Sequence, residues 1–163
     1  MKEKLSIYIN NPKAPKPNKP LTPGVCGVII NEKNEILLHK RSDITSYWSL
    51  PGGMMKLGES IAQCCIREIR EEMKLEVTPK RVIGIYSSPE CIFAWSDGSV
   101  YQSFVIAFLC KIYGNNISNV VLNNESDDYG WFGRNDIGAL ATLPYVKEII
   151  EESFSETQCT FYD

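Results

Sequence analysis

Residues 53 to 75 read Gly53-x5-Glu59-x7-Arg67-Glu68-Ile69-x-Glu71-Glu72-x-x-Leu75. Acids at spacings i, i+3 and i+4 fall on one side of an α-helix, where like charges repel unless something positive sits among them. A divalent cation is the simplest such counter-charge. Turning about 100° per residue from Ile69 brings Ala62, Cys65, Ile66 and Met73 within roughly 60° of it, an apolar stripe that reads as the buried face. On the same wheel Glu72 lies about 60° to one side of Ile69, Glu68 about 100° and Glu71 about 160°, so the acids step outward from the edge of the core. Glu68 and Glu72 are then the half-buried pair. A carboxylate at a core boundary is costly unless a proton, a cationic side chain or a metal neutralises it. Arg67, four residues before Glu71, pairs with it on the outer face. Glu68 and Glu72 remain for Mg²⁺ or Mn²⁺, which take oxygen ligands and keep waters and substrate phosphates in the shell.

The start of the helix is written as clearly. Ser60 and Gln63 form an S-x-x-Q capping box, which places the first helical residue at Ile61. Pro51-Gly52-Gly53 supplies a loop whose backbone approaches a ligand closely, with the Gly53 carbonyl a further oxygen donor.

Trp48-Ser49-Leu50-Pro51-Gly52-Gly53, then Gly58-Glu59-Ser60 and Arg67-Glu68-Ile69-Arg70-Glu71-Glu72, resemble the Nudix box. Two positions depart from it. Lys74 stands where the box has the glycine that ends the helix in a left-handed conformation, at a cost of about 1 kcal/mol. Lys56 stands where many members carry another glutamate, either as a solvated loop residue or as a phosphate contact.

The resemblance covers roughly residues 25–143. It implies an α/β fold, a Nudix-like α/β/α sandwich with a mixed β-sheet, and metal-dependent hydrolysis of a nucleoside diphosphate linked to another group. The substrate so implied is a nucleotide sugar such as ADP-ribose, or a nucleoside triphosphate. In this reading Glu68 and Glu72 bind the metal directly, with Gly53 as a further ligand. Glu71 binds it through water or as an additional ligand, and Glu59 and Arg67 form a supporting pair. Candidates for the base are Glu68 and the acids Glu125, Asp127 and Asp128 before Trp131. Arg41 and Lys56 are the candidate phosphate contacts. Trp48, Phe93, Trp95 and Tyr101 are the aromatic candidates for a base or ribose, with packing the competing role for each. A rival from another class is a module that senses a nucleotide on the same fold without turning it over.

A chain of 163 residues, 44% hydrophobic, suffices for one domain. The expected division is an N-terminal strand and proline-rich arm over residues 1–24 and the hydrolase domain over 25–163. A net charge of −3 with no basic cluster disfavours nucleic acid as a partner and favours a small nucleotide. No apolar run approaches the roughly 20 residues of a membrane span, and Met1-Lys2-Glu3-Lys4 is not followed by a signal-peptide core, so the expectation is a soluble, cytoplasmic protein. Six cysteines lack C-x-x-C spacing, and Cys64 and Cys65 are adjacent, so reduced packing thiols are the reading. The single histidine, His39, reads as an ordinary strand residue.

Leu5 to Ile9 alternates as a strand, and residues 10–23 hold five of the nine prolines, an extended arm that wraps the domain, crosses to a second subunit of a homodimer, or is a flexible leader. Val25 to Ile30 and Ile36 to Lys40 read as a hairpin through Asn31-Glu32-Lys33-Asn34-Glu35. Further strands are expected over Arg81–Tyr86, Ile92–Trp95, a long one over Val100–Cys110, and Asp128–Phe132. Leu143-Pro144 opens a last helix ending near Phe154.

Overall fold

The computed structural model describes residues 4–113, 120–155 and 161–162. Helix α1 spans Ile61–Met73. Ser60 Oγ accepts the Gln63 N–H at 3.2 Å, and Gln63 Oε1 accepts the Ser60 N–H at 2.8 Å, so the capping box is present in full. The helix ends at Lys74 in the left-handed region, φ 57°, its N–H donating to Arg70 O. Because a lysine is strained there and glycine is not, Lys74→Gly is expected to stabilise the fold by about 1 kcal/mol, read as a higher urea midpoint at unchanged slope.

The buried stripe holds Cys65, Ile69 and Met73, with Cys64 and Glu72 buried beside it. Full burial of an Ile or Met side chain contributes about 1.5–3 kcal/mol, so this face anchors the helix. It packs on a five-stranded mixed sheet ordered β11 (Phe161–Tyr162), β6 (Val77–Tyr86), β9 (Val105–Ile112), β2 (Gly24–Ile29) and β5 (Gly52–Met54). Strand alternation sorts the two faces. Val25, Ile29, Ile106, Phe108 and Cys110 meet α1, whereas Val28 and Ala107 meet Val146, Ile149 and Ile150 of helix α3 (Val146–Ser153). Helices on opposite faces of a mixed sheet make the α/β/α sandwich.

Two smaller sheets flank it. One is ordered β10 (Ser126–Gly133), β3 (Glu35–Arg41) and β4 (Trp48–Ser49); helix α2 (Arg134–Ile137) follows β10. The other is β1 (Leu5–Ile9), β7 (Cys91–Trp95) and β8 (Val100–Gln102).

Three expected elements are corrected. The hairpin of β2 and β3 is reduced to one bridge, Ile30 with Ile36. The Asn31 turn forms, with Asn31 Oδ1 accepting from Lys33 and Glu35 N–H, but β2 is already paired to β9 on one edge and β5 on the other, so β3 joins another sheet. The long strand from Val100 breaks into β8 and β9. At the break the Ser103 N–H donates to Cys91 O in one sheet, and the next carbonyl, Phe104 O, accepts the Gly24 N–H in another. The last helix begins at Val146 rather than at Leu143-Pro144, because Tyr145 takes a left-handed N-cap conformation, φ 67°.

At Asn18 the arm bonds to the domain of the same chain. Asn18 Nδ2 donates to Gly98 O and Asn18 Oδ1 accepts the Val100 N–H, both at 2.9 Å, which ties the arm to the β7–β8 turn. Cys26, Cys64, Cys65, Cys91 and Cys110 are free thiols, as expected; Cys159 and residues 1–3 lie outside the described residues. No described helix is long and apolar enough to cross a membrane.

Candidate active site

The acids of α1 face the glycine strand β5. The Gly52 N–H donates to Glu72 Oε2 at 2.8 Å. A side chain at Gly53 would place its Cβ 2.5 Å from the Glu68 carboxyl carbon, so only glycine lets this carboxylate abut the backbone. Glu72 is 2% exposed, the most buried acid of the site. Burial pushes its carboxyl up to about 8, against the opposing pull of the Gly52 N–H and of Arg41. Glu68 is half-buried and burial raises it too, countered by Arg67, whereas Glu71 is exposed.

Arg67 ties the acids together. Its guanidinium donates to Glu59 through Nε at 2.8 Å and Nη2 at 2.5 Å, and through Nη1 to Glu68 at 2.5 Å and Glu71 at 3.3 Å. It also reaches the Met54 carbonyl at 3.2 Å, so it links helix, loop and strand. These bonds hold the Glu59 carboxyl down to about 2. Both expected Arg67 partners are present, and Glu68 is a third.

A cavity of about 500 Å³ opens in front of these groups, lined by Gly52, Gly53, Glu68, Glu71, Glu72 and Arg41 among others. Lys56 lines it too, its Nζ 3.6 Å from Glu71 Oε1, and Arg41 chelates Asp43 with Nε at 2.7 Å from Oδ1. Glu125 joins the lining; Asp127 and Asp128 do not. Phe93, Trp95 and Tyr101 form part of the wall. Of the two roles left open for Trp48, substrate contact is not the one it takes: it is absent from that wall and packs edge-on against Phe132 at 4.8 Å. Position β4 turns it into the core beneath α3. His39 is a buried strand residue, as expected, with Nδ1 2.6 Å from Ser126 Oγ.

The sequence reading missed Ser103, Leu5 and Thr22, which also line the cavity. Alternation marks Leu5 as a strand residue but not what that strand faces, and Ser103 at the sheet switch and Thr22 in the arm carry no periodic signal.

Among the described residues, no group of three or more His, Cys, Asp and Glu side chains is placed to hold an ion unaided. The donors fit a metal in a different way. Glu68, Glu72 and the Gly53 carbonyl offer hard oxygens, and Mg²⁺ binds through one or two carboxylates while water and phosphate complete its shell. Two carboxylates raised by burial are groups that such a charge would relieve.

Those shifts set a pH dependence for the metal-free protein. Glu72 has a folded value near 8, above its ordinary 4.5, so the folded state binds the proton more tightly. Its contribution to stability is complete below the ordinary value and is lost as pH rises through the folded one. Thermal midpoints in chelator are therefore expected to fall between about pH 5 and 8, and Glu72→Gln is expected to flatten the fall.

A family model described as "NUDIX domain" matches residues 20–153. An RNA pyrophosphohydrolase of Wolbachia pipientis subsp. Culex pipiens is 30% identical over 158 residues, covering 89% of this chain and 96% of that protein. An ADP-ribose pyrophosphatase of Methanocaldococcus jannaschii is 41% identical over 64 residues; that match spans 38% of each chain, so less than half of that relative is compared. The crystal structure of an ADP-ribose pyrophosphatase from Streptococcus suis superposes with a TM-score of 0.64 at 25% identity, covering 87% of this chain and 98% of that one.

Proposed function

The chain belongs to the Nudix family of pyrophosphohydrolases, and on that premise we propose that it uses Mg²⁺ or Mn²⁺ to cleave the diphosphate linkage of a small nucleotide, either a nucleotide sugar such as ADP-ribose or a nucleoside triphosphate. The observation that carries this reading is the buried Glu72 beside Glu68, both facing Gly52–Gly53 at the mouth of one cavity. When bound, the ion supplies positive charge to the diphosphate and lowers the pKa of the attacking water. Glu68, Glu72 and the Gly53 carbonyl would hold it, with Glu71 reaching it through water. Arg67 and Glu59 keep the helix, loop and carboxylates in register. Glu68 or Glu125 takes the proton of the attacking water, since both line the cavity.

Charge favours a small substrate over a polynucleotide. Arg41 and Lys56 are the cations of the cavity wall, and each already has an acidic partner, Asp43 and Glu71. The near full-length match to an RNA pyrophosphohydrolase favours the second reading, an RNA 5′ end. We place the protein in the cytoplasm and the arm within its own subunit.

Incubation with ADP-ribose, dinucleotides, nucleoside triphosphates, 5′-triphosphate RNA and capped RNA in Mg²⁺ or Mn²⁺, with chromatography of the products, tests both readings. The expected result is metal-dependent release of a nucleoside monophosphate from a small substrate. Preference for RNA would install the second reading. Binding of a nucleotide with no cleavage of any compound would make the protein a sensor instead.

A further inference from the structure

The aromatic wall of the cavity belongs to a sheet that carries none of the acids. In the pairing of β7 with β8, Phe93 stands opposite Tyr101. Strand alternation puts Trp95 on the same side as Phe93, and Ser103, just past the end of β8, comes to the same cavity wall. The rings form a continuous surface: Trp95 lies 5.4 Å from Tyr101 and 6.2 Å from Phe93, centroid to centroid. All four residues line the cavity.

Ser103 is the unsatisfied member. It is 3% exposed, and its Oγ is buried without a hydrogen-bond partner. An orphan hydroxyl in a protein interior costs free energy that a ligand can return. Its neighbour Gln102 is already committed, with Nε2 donating to Ser87 O at 3.1 Å. A serine hydroxyl donates one hydrogen bond and accepts two, so it pairs with either a carbonyl or an amino edge of a heterocycle. The residue lines the cavity while its Oγ lies just beneath the surface, so contact with a ligand requires the hydroxyl to turn about χ1.

We propose that the face of the β7–β8 hairpin carrying Phe93, Trp95, Tyr101 and Ser103 is the nucleobase subsite, the rings stacking the base and Ser103 Oγ hydrogen-bonding its polar edge. The assignment rests on the reading of the cavity as a nucleoside diphosphate site and names the group that reads the nucleoside. Stacking on aromatic side chains tolerates every base, so selectivity needs a polar group such as this one. The arm is the brace: β1 pairs with β7 from Leu5–Trp95 to Ile9–Cys91, and Asn18 clasps the hairpin turn.

The test is calorimetric titration, in Mg²⁺, of the wild type, Ser103→Ala and Trp95→Ala with the α,β-methylene diphosphates of adenosine, guanosine, cytidine and uridine, and with the same methylene diphosphate on ribose alone. At least one nucleoside compound is expected to bind the wild type tenfold or more tighter than the base-free one. Ser103→Ala should weaken that compound about five- to tenfold, the range of one neutral hydrogen bond, and leave the base-free one unchanged. Trp95→Ala should weaken every nucleoside compound and spare the base-free one. Because Ser103→Ala removes a hydroxyl that bonds nothing in the free protein, it should melt no lower than the wild type. Equal affinity of all five compounds, or an unchanged affinity of the preferred one in Ser103→Ala, would overturn the proposal. Should the expected pattern appear while the hydrolysable compounds are not cleaved, the subsite stands and the hydrolase reading falls.

Discussion

Glu72→Gln is expected to lower turnover by about 10² to 10⁴ while the protein stays folded. The amide is nearly isosteric and keeps an oxygen for the Gly52 N–H, so the local bond to β5 has a replacement partner. What is lost is a negative charge set in a buried position, where a carboxylate is costly unless a cation faces it. Steady-state rates over a Mg²⁺ series, with circular dichroism as the fold control, make the measurement. Glu71→Gln serves as the comparison, with a smaller expected loss of about tenfold, since that side chain is exposed and the role proposed for it is through water. Turnover of Glu72→Gln equal to the wild type at saturating Mg²⁺ would remove Glu72 from the metal site.

The glycine pair predicts a separation of activity from stability. At Gly53 an added Cβ would lie 2.5 Å from the Glu68 carboxyl carbon and 2.6 and 2.7 Å from its oxygens. These are the far end of a flexible side chain, so Gly53→Ala is accommodated by moving the carboxylate. Stability should change by about 1 kcal/mol or less, but a group displaced by about an ångström costs on the order of 10² in rate. At Gly52 the added Cβ would overlap the Val25 carbonyl and approach Cys26 Cα at 2.6 Å, both backbone atoms of a central strand. Gly52→Ala should therefore lower the melting temperature sharply as well as the rate. Denaturation and rate measurements on the two variants decide it: equal rate losses tracking equal stability losses would refute the role given to Glu68.

Helix α1 was legible because its signals are local. Ser60 and Gln63 mark the start, the stripe through Ile69 marks the inner face, and the boundary position of Glu72 follows from its angle to that stripe. The strands were legible as strands but not as neighbours. Alternation says which side chains share a face and is silent on which edge a strand will join, so it does not reveal that Ile36 to Lys40 pairs with β10 and β4 or that the run from Val100 breaks at Ser103. The same limit governs the site. The acids and glycines lie within twenty residues of one another and were read together, whereas Ser103, Leu5 and Thr22 come to the cavity through long-range pairing. Trp48 shows the converse: aromatic character alone leaves stacking and packing both open, and the strand sends it into the core.

The acid-bearing helix rests on the five-stranded sheet, and the aromatic wall hangs on a separate sheet fastened by Leu5–Ile9 and by Asn18. On the roles proposed above, reacting groups and recognising groups are separately mounted. Exchange of the leading segment together with residues 91–103 offers a route to a new substrate preference in which the hydrolytic half is inherited intact, whether the exchange is made by evolution or at the bench.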